Sequence, residues 1–102
     1  MGKALIAAMV LTTALPLAAR AADADKGRAI ARQWCASCHI VEAGQPGGDA
    51  APPFATIAND RTRSPGALRA WLANPHPPMP NLRLSRGEID DVVAYLETLR
   101  RP

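Results

Sequence analysis

Residues 35–39 read Cys35-Ala36-Ser37-Cys38-His39, and this C-x-x-C-H segment constrains the chain more than any other. Two thiols three positions apart on a helix project from nearly the same face. C-x-x-C-H is the attachment signature of c-type haem. The spacing lets both thiols form thioether bonds to the vinyl groups of one porphyrin, and the imidazole that follows can bind the iron. The motif therefore predicts one covalently attached haem c, with His39 as the first axial ligand.

Two other uses of the cysteines have weaker support. Structural zinc takes four ligands, and Cys35, Cys38, His39 and His76 are the available set, but there is no second closely spaced pair. A redox-active C-x-x-C of the thioredoxin type occurs in a βαβ context. No strand-like alternation flanks this motif. Haem remains the leading prediction.

Residues 1–21 read as a secretory signal peptide. Lys3 supplies a positive start, residues 4–15 form an uncharged and mostly apolar run, and Ala19-Arg20-Ala21 is an A-x-A cleavage site. An uncleaved membrane anchor is the alternative, but the charge-free stretch of 16 residues is shorter than the ~20 that span a bilayer. We therefore predict export to the periplasm, a mature chain that starts at Ala22, one domain over residues 22–102, and no stable membrane insertion after cleavage.

Removal of the signal changes the charge of the chain. Residues 22–102 keep ten Lys and Arg against nine Asp and Glu, so the formal charge is about +1 rather than +3. No basic stripe interleaved with aromatic residues is present, and the sequence predicts no nucleic-acid partner.

About 80 residues with four aromatic side chains build only a thin core. A covalently held haem would supply the missing apolar bulk.

The first helix is predicted to deliver the motif. It should run from about Ala24 to Cys38, with Asp23 or Asp25 as its N-cap. Ile30, Trp34 and Cys38 recur every four residues and predict its apolar face, extended by the small residues Gly27 and Ala31.

Three further helices complete an all-α prediction. After a Gly- and Pro-rich loop over residues 41–53, a short helical turn is expected over 54–58. Ser64 and Pro65 begin the next helix, which should end before Pro75. The last helix starts at a Ser85/Glu88 capping box. Its predicted apolar face consists of Ile89, Val92, Val93, Leu96 and Leu99.

The second axial ligand must come from the proline-rich strap over residues 74–84. Haem iron in electron-transfer proteins commonly takes His or Met at this position, and the mature chain offers Met79 and His76. Met79 is favoured because Pro78 and Pro80 hold its backbone nearly fixed, which lowers the entropy cost of presenting a thioether. His76 is then expected to be a partly exposed loop residue near the haem edge.

At this point the chain resembles the class I cytochrome c family over about Asp23 to Arg100. The most specific parts are the C-x-x-C-H motif and Met79 about 40 residues later. The resemblance implies a cytochrome c fold, with about four short helices wrapped around one haem and one haem edge exposed. It also implies that the first and last helices cross closely, with Gly27 and Tyr95 at the crossing.

The resemblance also suggests supporting residues around the haem. A proline carbonyl that accepts a hydrogen bond from the His39 ring would be that of Pro52 or Pro53, between which the sequence does not choose. Trp71 looks like the aromatic residue that reaches a haem propionate. Asn81 resembles a polar neighbour of the Met ligand.

The predicted function is electron transfer without catalytic residues. The leading hypothesis is a periplasmic carrier that moves one electron between redox partners, which are membrane electron-transfer complexes or periplasmic oxidoreductases. The alternative is a cytochrome subunit held permanently in a periplasmic oxidoreductase complex. A sensor or peroxidase would need an open sixth site, which Met79 argues against.

Overall fold

The structure, a computed structural model, describes residues 2–16 and 20–102. It contains four helices: α1 (Ala24–Trp34), α2 (Phe54–Asn59), α3 (Pro65–Ala73) and α4 (Arg86–Thr98). No strand occurs within the described ranges, so the all-α prediction is confirmed. Residues 2–16 are exposed and carry no helix, while Ala19 of the predicted cleavage motif lies outside the described residues. None of the described helices is long and apolar enough to cross a membrane.

The helix starts follow their capping residues. Asp23, rather than Asp25, caps α1, because its carboxylate accepts hydrogen bonds from the backbone N–H groups of Asp25 and Lys26 at 3.0 and 3.1 Å. Ser64 caps α3 with Pro65 in the first turn. Ser85 and Glu88 form the predicted reciprocal capping box at α4. These local side-chain contacts satisfy N–H groups that the helix itself leaves without acceptors.

The end and the buried face of α1 differ from the prediction. The helix ends at Trp34 instead of Cys38, and the motif continues as a tight turn in which His39 N–H donates to the Cys35 carbonyl at 2.9 Å. The buried residues are Gly27, Ala31 and Cys35, Ile30 is partly buried against the core, and Trp34 is 52% exposed. The predicted positions of Gly27, Ala31 and Ile30 are confirmed, but Trp34 and Cys38 were wrongly placed on this face. Gly27, Ala31 and Cys35 lie four residues apart and define the buried face, which leaves Trp34 outside it.

Helix α4 is the centre of the fold and contacts each of the other three helices. Its crossing with α1 is so close that a Cβ atom on Gly27 would lie 1.9 Å from the Asp91 carbonyl oxygen. The predicted apolar residues of α4 are buried, with Leu99 partly so. Tyr95 is also buried, and its hydroxyl donates to the Val41 carbonyl at 2.7 Å. The close crossing of α1 and α4 is therefore confirmed. Tyr95 also joins α4 to the start of the Gly- and Pro-rich loop over residues 41–53.

The Gly- and Pro-rich loop wraps the C-x-x-C-H turn. Gly48 N–H donates to the Ala36 carbonyl at 2.8 Å, and Ala51 N–H donates to the Cys38 carbonyl at 2.9 Å. A Cβ on Gly48 would lie 2.1 Å from the Ser37 carbonyl oxygen, so this approach requires glycine. Backbone groups of the loop thus fix the motif from outside.

One carboxylate joins the start of this loop to α1. Glu42 accepts hydrogen bonds from Arg32 at 2.7 and 3.0 Å and also from Arg28. The hydrogen bond from Arg32 is the main reason that the pKa of Glu42 lies below its ordinary value, and Arg28 acts in the same direction. The Glu42 carboxylate therefore stays ionised at neutral pH. Its ion pairs with Arg28 and Arg32 hold the start of the loop against α1, the helix that precedes the motif.

Candidate haem site

The His39 imidazole is held by the loop that follows it. Its Nδ1 lies 2.6 Å from the Pro52 carbonyl oxygen, so the structure selects Pro52 over Pro53. A carbonyl only accepts hydrogen bonds, which places the proton on Nδ1 and leaves the Nε2 lone pair available to a metal. The ring of Phe54 meets the imidazole edge-on with a centroid distance of 5.3 Å. The orientation of His39 is therefore fixed from two sides.

The two thiols have different surroundings. The two cysteines form no disulfide with each other, and Cys35 is buried whereas Cys38 is exposed. Burial, and secondarily the neighbouring Cys38, raises the pKa of the Cys35 thiol to about 11. Before the haem is attached, the Cys35 sulfur is therefore a neutral thiol at physiological pH. Because α1 ends before the motif, the tight turn and not a regular helix sets the direction of Cys38.

The zinc and dithiol alternatives find no support in the geometry. No group of three or more His, Cys, Asp or Glu side chains within the described residues is placed to hold a metal ion. His76 accordingly does not join the two cysteines and His39 in a tetrahedral site. The βαβ setting of a redox dithiol is also missing, since residues 2–16 and 20–102 contain no strand.

Met79 lies in a small cluster on the strap. Its backbone N–H donates to the His76 carbonyl at 3.0 Å. The Trp71 indole Nε1 lies 3.1 Å from the Met79 sulfur, and the Trp71 and His76 rings meet edge-on at 5.0 Å. Trp71 therefore contacts both candidate ligands: its N–H donates to the Met79 thioether, and its ring packs against the His76 ring.

The structure also gives the contacts of Trp71 and Asn81, the two supporting residues that the resemblance suggests. The resemblance suggests that Trp71 reaches a haem propionate, which stays a prediction. In the structure its N–H donates to the Met79 sulfur. The Asn81 side-chain oxygen accepts a hydrogen bond from the backbone N–H of Arg83 at 2.9 Å. Its suggested role as a polar neighbour of the Met ligand stays a prediction. Only the eight-residue separation of Trp71 and Met79 was visible in the sequence, and separation alone does not show that the strap folds back onto α3.

The side chains of the C-x-x-C-H turn and the strap supply the donors that a haem would need. Each of α1, α2 and α3 contacts α4, but among the described residues these three helices do not contact one another. Two thiols, one imidazole with a free Nε2 and one thioether are the donor set that haem c uses. Cys35 and Cys38 would hold the porphyrin, and His39 and Met79 would bind its iron. When bound, the haem supplies reversible one-electron chemistry.

An all-α fold that presents this donor set defines a haem-binding electron-transfer protein, and comparisons with known proteins agree. A family model described as "Cytochrome C oxidase, cbb3-type, subunit III" matches residues 22–96. The chain is 46% identical over 83 residues to a protein named cytochrome c-552 from Bradyrhizobium diazoefficiens, which covers 80% of each chain. It is 34% identical over 77 residues to a cytochrome c-553-like protein from Synechocystis, covering 76% of this chain and 70% of that protein.

No solved structure matches the chain significantly. The two sequence relatives and the family match are sufficient for classification. The chain belongs to the class I c-type cytochromes, which carry covalently attached haem c and act in electron transfer. Redox proteins are therefore its partners in general.

Proposed function

We propose that this cytochrome is a periplasmic carrier of single electrons whose one haem c is attached through Cys35 and Cys38, with His39 and Met79 as axial ligands. The contact between His39 Nδ1 and the Pro52 carbonyl carries this proposal. It leaves Nε2 as the coordinating atom and holds the ring in one orientation. A hydrogen bond of this kind increases the basicity of a ligating imidazole.

Met79 is the better second ligand on the observed contacts. It is partly buried in the strap, whereas His76 is exposed and packs its ring against Trp71. A thioether ligand favours the reduced iron and raises the reduction potential. With both axial positions filled by side chains, the iron has no open site for a substrate. The donor set thus supports electron transfer over sensing or peroxidase chemistry.

The proposed location depends on the signal peptide over residues 1–21. The described part of this segment is exposed and makes no helix, and the family match begins at residue 22. Both observations support a mature domain over residues 22–102 that is exported to the periplasm. The partners would be membrane electron-transfer complexes or periplasmic oxidoreductases.

One observation favours a second candidate function. The description of the matching family model names a subunit of an oxidase. This match supports the alternative that the protein is a cytochrome subunit of a periplasmic oxidoreductase complex. Gel filtration of a native periplasmic extract separates the two functions. The carrier should elute at the size of one small domain and titrate reversibly as a one-electron couple. Elution in a stable large complex would contradict the free carrier, and rapid carbon monoxide binding to the reduced protein would contradict a filled sixth site.

Replacing Trp71 tests the hydrogen bond to the ligand sulfur. An N–H donor withdraws electron density from the thioether and thereby disfavours ferric iron. We expect Trp71→Phe to lower the reduction potential by roughly 20–60 mV, the equivalent of one hydrogen bond of about 0.5–1.5 kcal/mol in a one-electron couple. The potential is measured by spectroelectrochemical titration. Trp34→Phe is the matched control, since Trp34 is exposed on α1, a different helix from the one that carries Trp71. Equal potentials in both variants would contradict a role for the Trp71 N–H.

A further inference from the structure

Asp91 is the one buried charged residue among those that the structure describes. It lies in the middle of α4 with only 2% of its surface exposed, among the apolar residues of the central helix. A carboxylate in such a position is strongly unfavourable unless hydrogen bonds and an opposite charge compensate it. Electron transfer at the haem site makes no use of Asp91, so its partners need a separate explanation.

Both carboxylate oxygens of Asp91 bind the segment that leads into α1. Oδ1 accepts a hydrogen bond from the backbone N–H of Asp23 at 2.8 Å. Oδ2 accepts one from the Arg20 guanidinium at 3.1 Å, and this arginine is the cation that faces it. Two other acids lie nearby: Asp90 is paired with Arg69 at 2.9 Å, and Glu88 is held by Ser85 in the capping box. Asp91 therefore depends on Arg20 for its compensating charge.

Arg20 belongs to the part of the chain that signal cleavage removes. Ala21 and Ala22, on the two sides of the bond, are both exposed, so the bond is accessible to a signal peptidase. Hydrolysis by one water molecule would give a carboxylate on Ala21, which departs with the signal, and an α-ammonium group on Ala22. Ala22 borders the same cavity of about 70 Å³ as the Asp91 side chain. The residues that line it are Arg20, Ala21, Ala22, Gly87, Asp90 and Asp91.

We propose that cleavage exchanges one cation for another at Asp91: the α-ammonium of Ala22 replaces the Arg20 guanidinium. The mature N-terminus is then a charged anchor that fixes α1 on α4. Cleavage at another bond would place the new ammonium group away from Asp91, and the buried carboxylate would then lack a cation. The inference rests on the proposed export of the chain, and it assigns Asp91 as the binding site for the processed end.

Three forms of the haem-loaded protein test the exchange, each made with and without Asp91→Asn. The first starts at Ala22, the second carries Gly-Ser-Gly-Ser before Ala22, and the third starts at Arg20. We expect the first and third to have similar melting temperatures and the second to melt at least about 5 °C lower. In the Asp91→Asn background this difference should disappear. Equal melting temperatures of the first two forms in the Asp91 background would overturn the proposal.

Two further readouts separate this inference from the proposed function. Mass spectrometry of the exported protein should give a chain that starts at Ala22, and another start would overturn the exchange. The absorption spectra of all six proteins should show the same axial ligation, because Asp91 is not placed at the iron. A common spectrum without thioether ligation would contradict the proposed function while leaving the melting comparison intact.

Discussion

Replacing Met79 with alanine (Met79→Ala) should leave the haem covalently attached, lower the reduction potential and open the iron to external ligands. The two thioether bonds and His39 do not depend on the strap, so attachment persists. Loss of the thioether removes the ligand that favours ferrous iron. Axial ligands set haem potentials over a range of ~0.8 V, and we expect a fall on the order of 100 mV or more. Spectroelectrochemical titration measures the potential, and carbon monoxide binding to the reduced variant reports the open site.

His76→Ala is the matched control for this prediction. It removes the only other candidate ligand of the strap, an exposed side chain three residues away, and should leave both potential and carbon monoxide binding unchanged. If His76→Ala opened the iron while Met79→Ala retained the original spectrum, the assignment of the sixth ligand would be reversed.

Placing a methyl group on Gly27 should cause the largest loss of stability. The new Cβ would lie 1.9 Å from the carbonyl oxygen and 2.4 Å from the carbonyl carbon of Asp91, both backbone atoms of α4. Side-chain rotation cannot relieve this overlap, so the two helices must separate. Overpacking typically costs ~1–3 kcal/mol, and we expect about 3 kcal/mol for Gly27→Ala because the obstacle is backbone. The difference is measured by thermal or guanidinium unfolding of the haem-loaded protein.

Gly66→Ala provides a control with the same chemical change. Gly66 is an exposed residue of α3, and the nearest atom to its added Cβ is the Ser64 hydroxyl at 3.9 Å. Alanine has the higher helix propensity, by up to ~1 kcal/mol, so this variant should be unchanged or slightly more stable. Equal stabilities of the two alanine variants would show that α1 and α4 do not cross at Gly27.

Local signals in the sequence predicted the helix starts well. Ser64-Pro65 and the Ser85/Glu88 box act within one helical turn, so their effect does not depend on the rest of the fold. The end of α1 was not predictable in this way. The turn that follows α1 is bonded to the loop through Gly48 and Ala51, which lie 12 and 13 residues beyond their acceptors Ala36 and Cys38, and no pattern within one helical turn signals such bonds.

The buried face of α1 was mispredicted for a related reason. Hydrophobic periodicity favours a face with Trp34, but a crossing close enough to need glycine excludes a large side chain. Asp91 was missed because an acid on an apolar helix is ordinarily expected to face solvent. Its partners come from the segment before α1, and periodicity carries no information about them.

The candidate site was predictable as chemistry but only partly as geometry. The C-x-x-C-H motif identifies the thiols and His39 directly. Pro52 and Pro53 offer the same carbonyl acceptor, and only the path of the loop distinguishes them. The contact of Trp71 with Met79 likewise depends on how the strap folds against α3.

The most direct test of the central claim is an absorption spectrum of the mature protein, expressed with a cytochrome c maturation system, first oxidised and then reduced. Ligation by His39 and Met79 predicts the weak far-red band of ferric haem bound to a thioether, together with sharp bands in the reduced state. A haem-loaded protein without the far-red band would contradict Met79 ligation and would favour His76 or an open site.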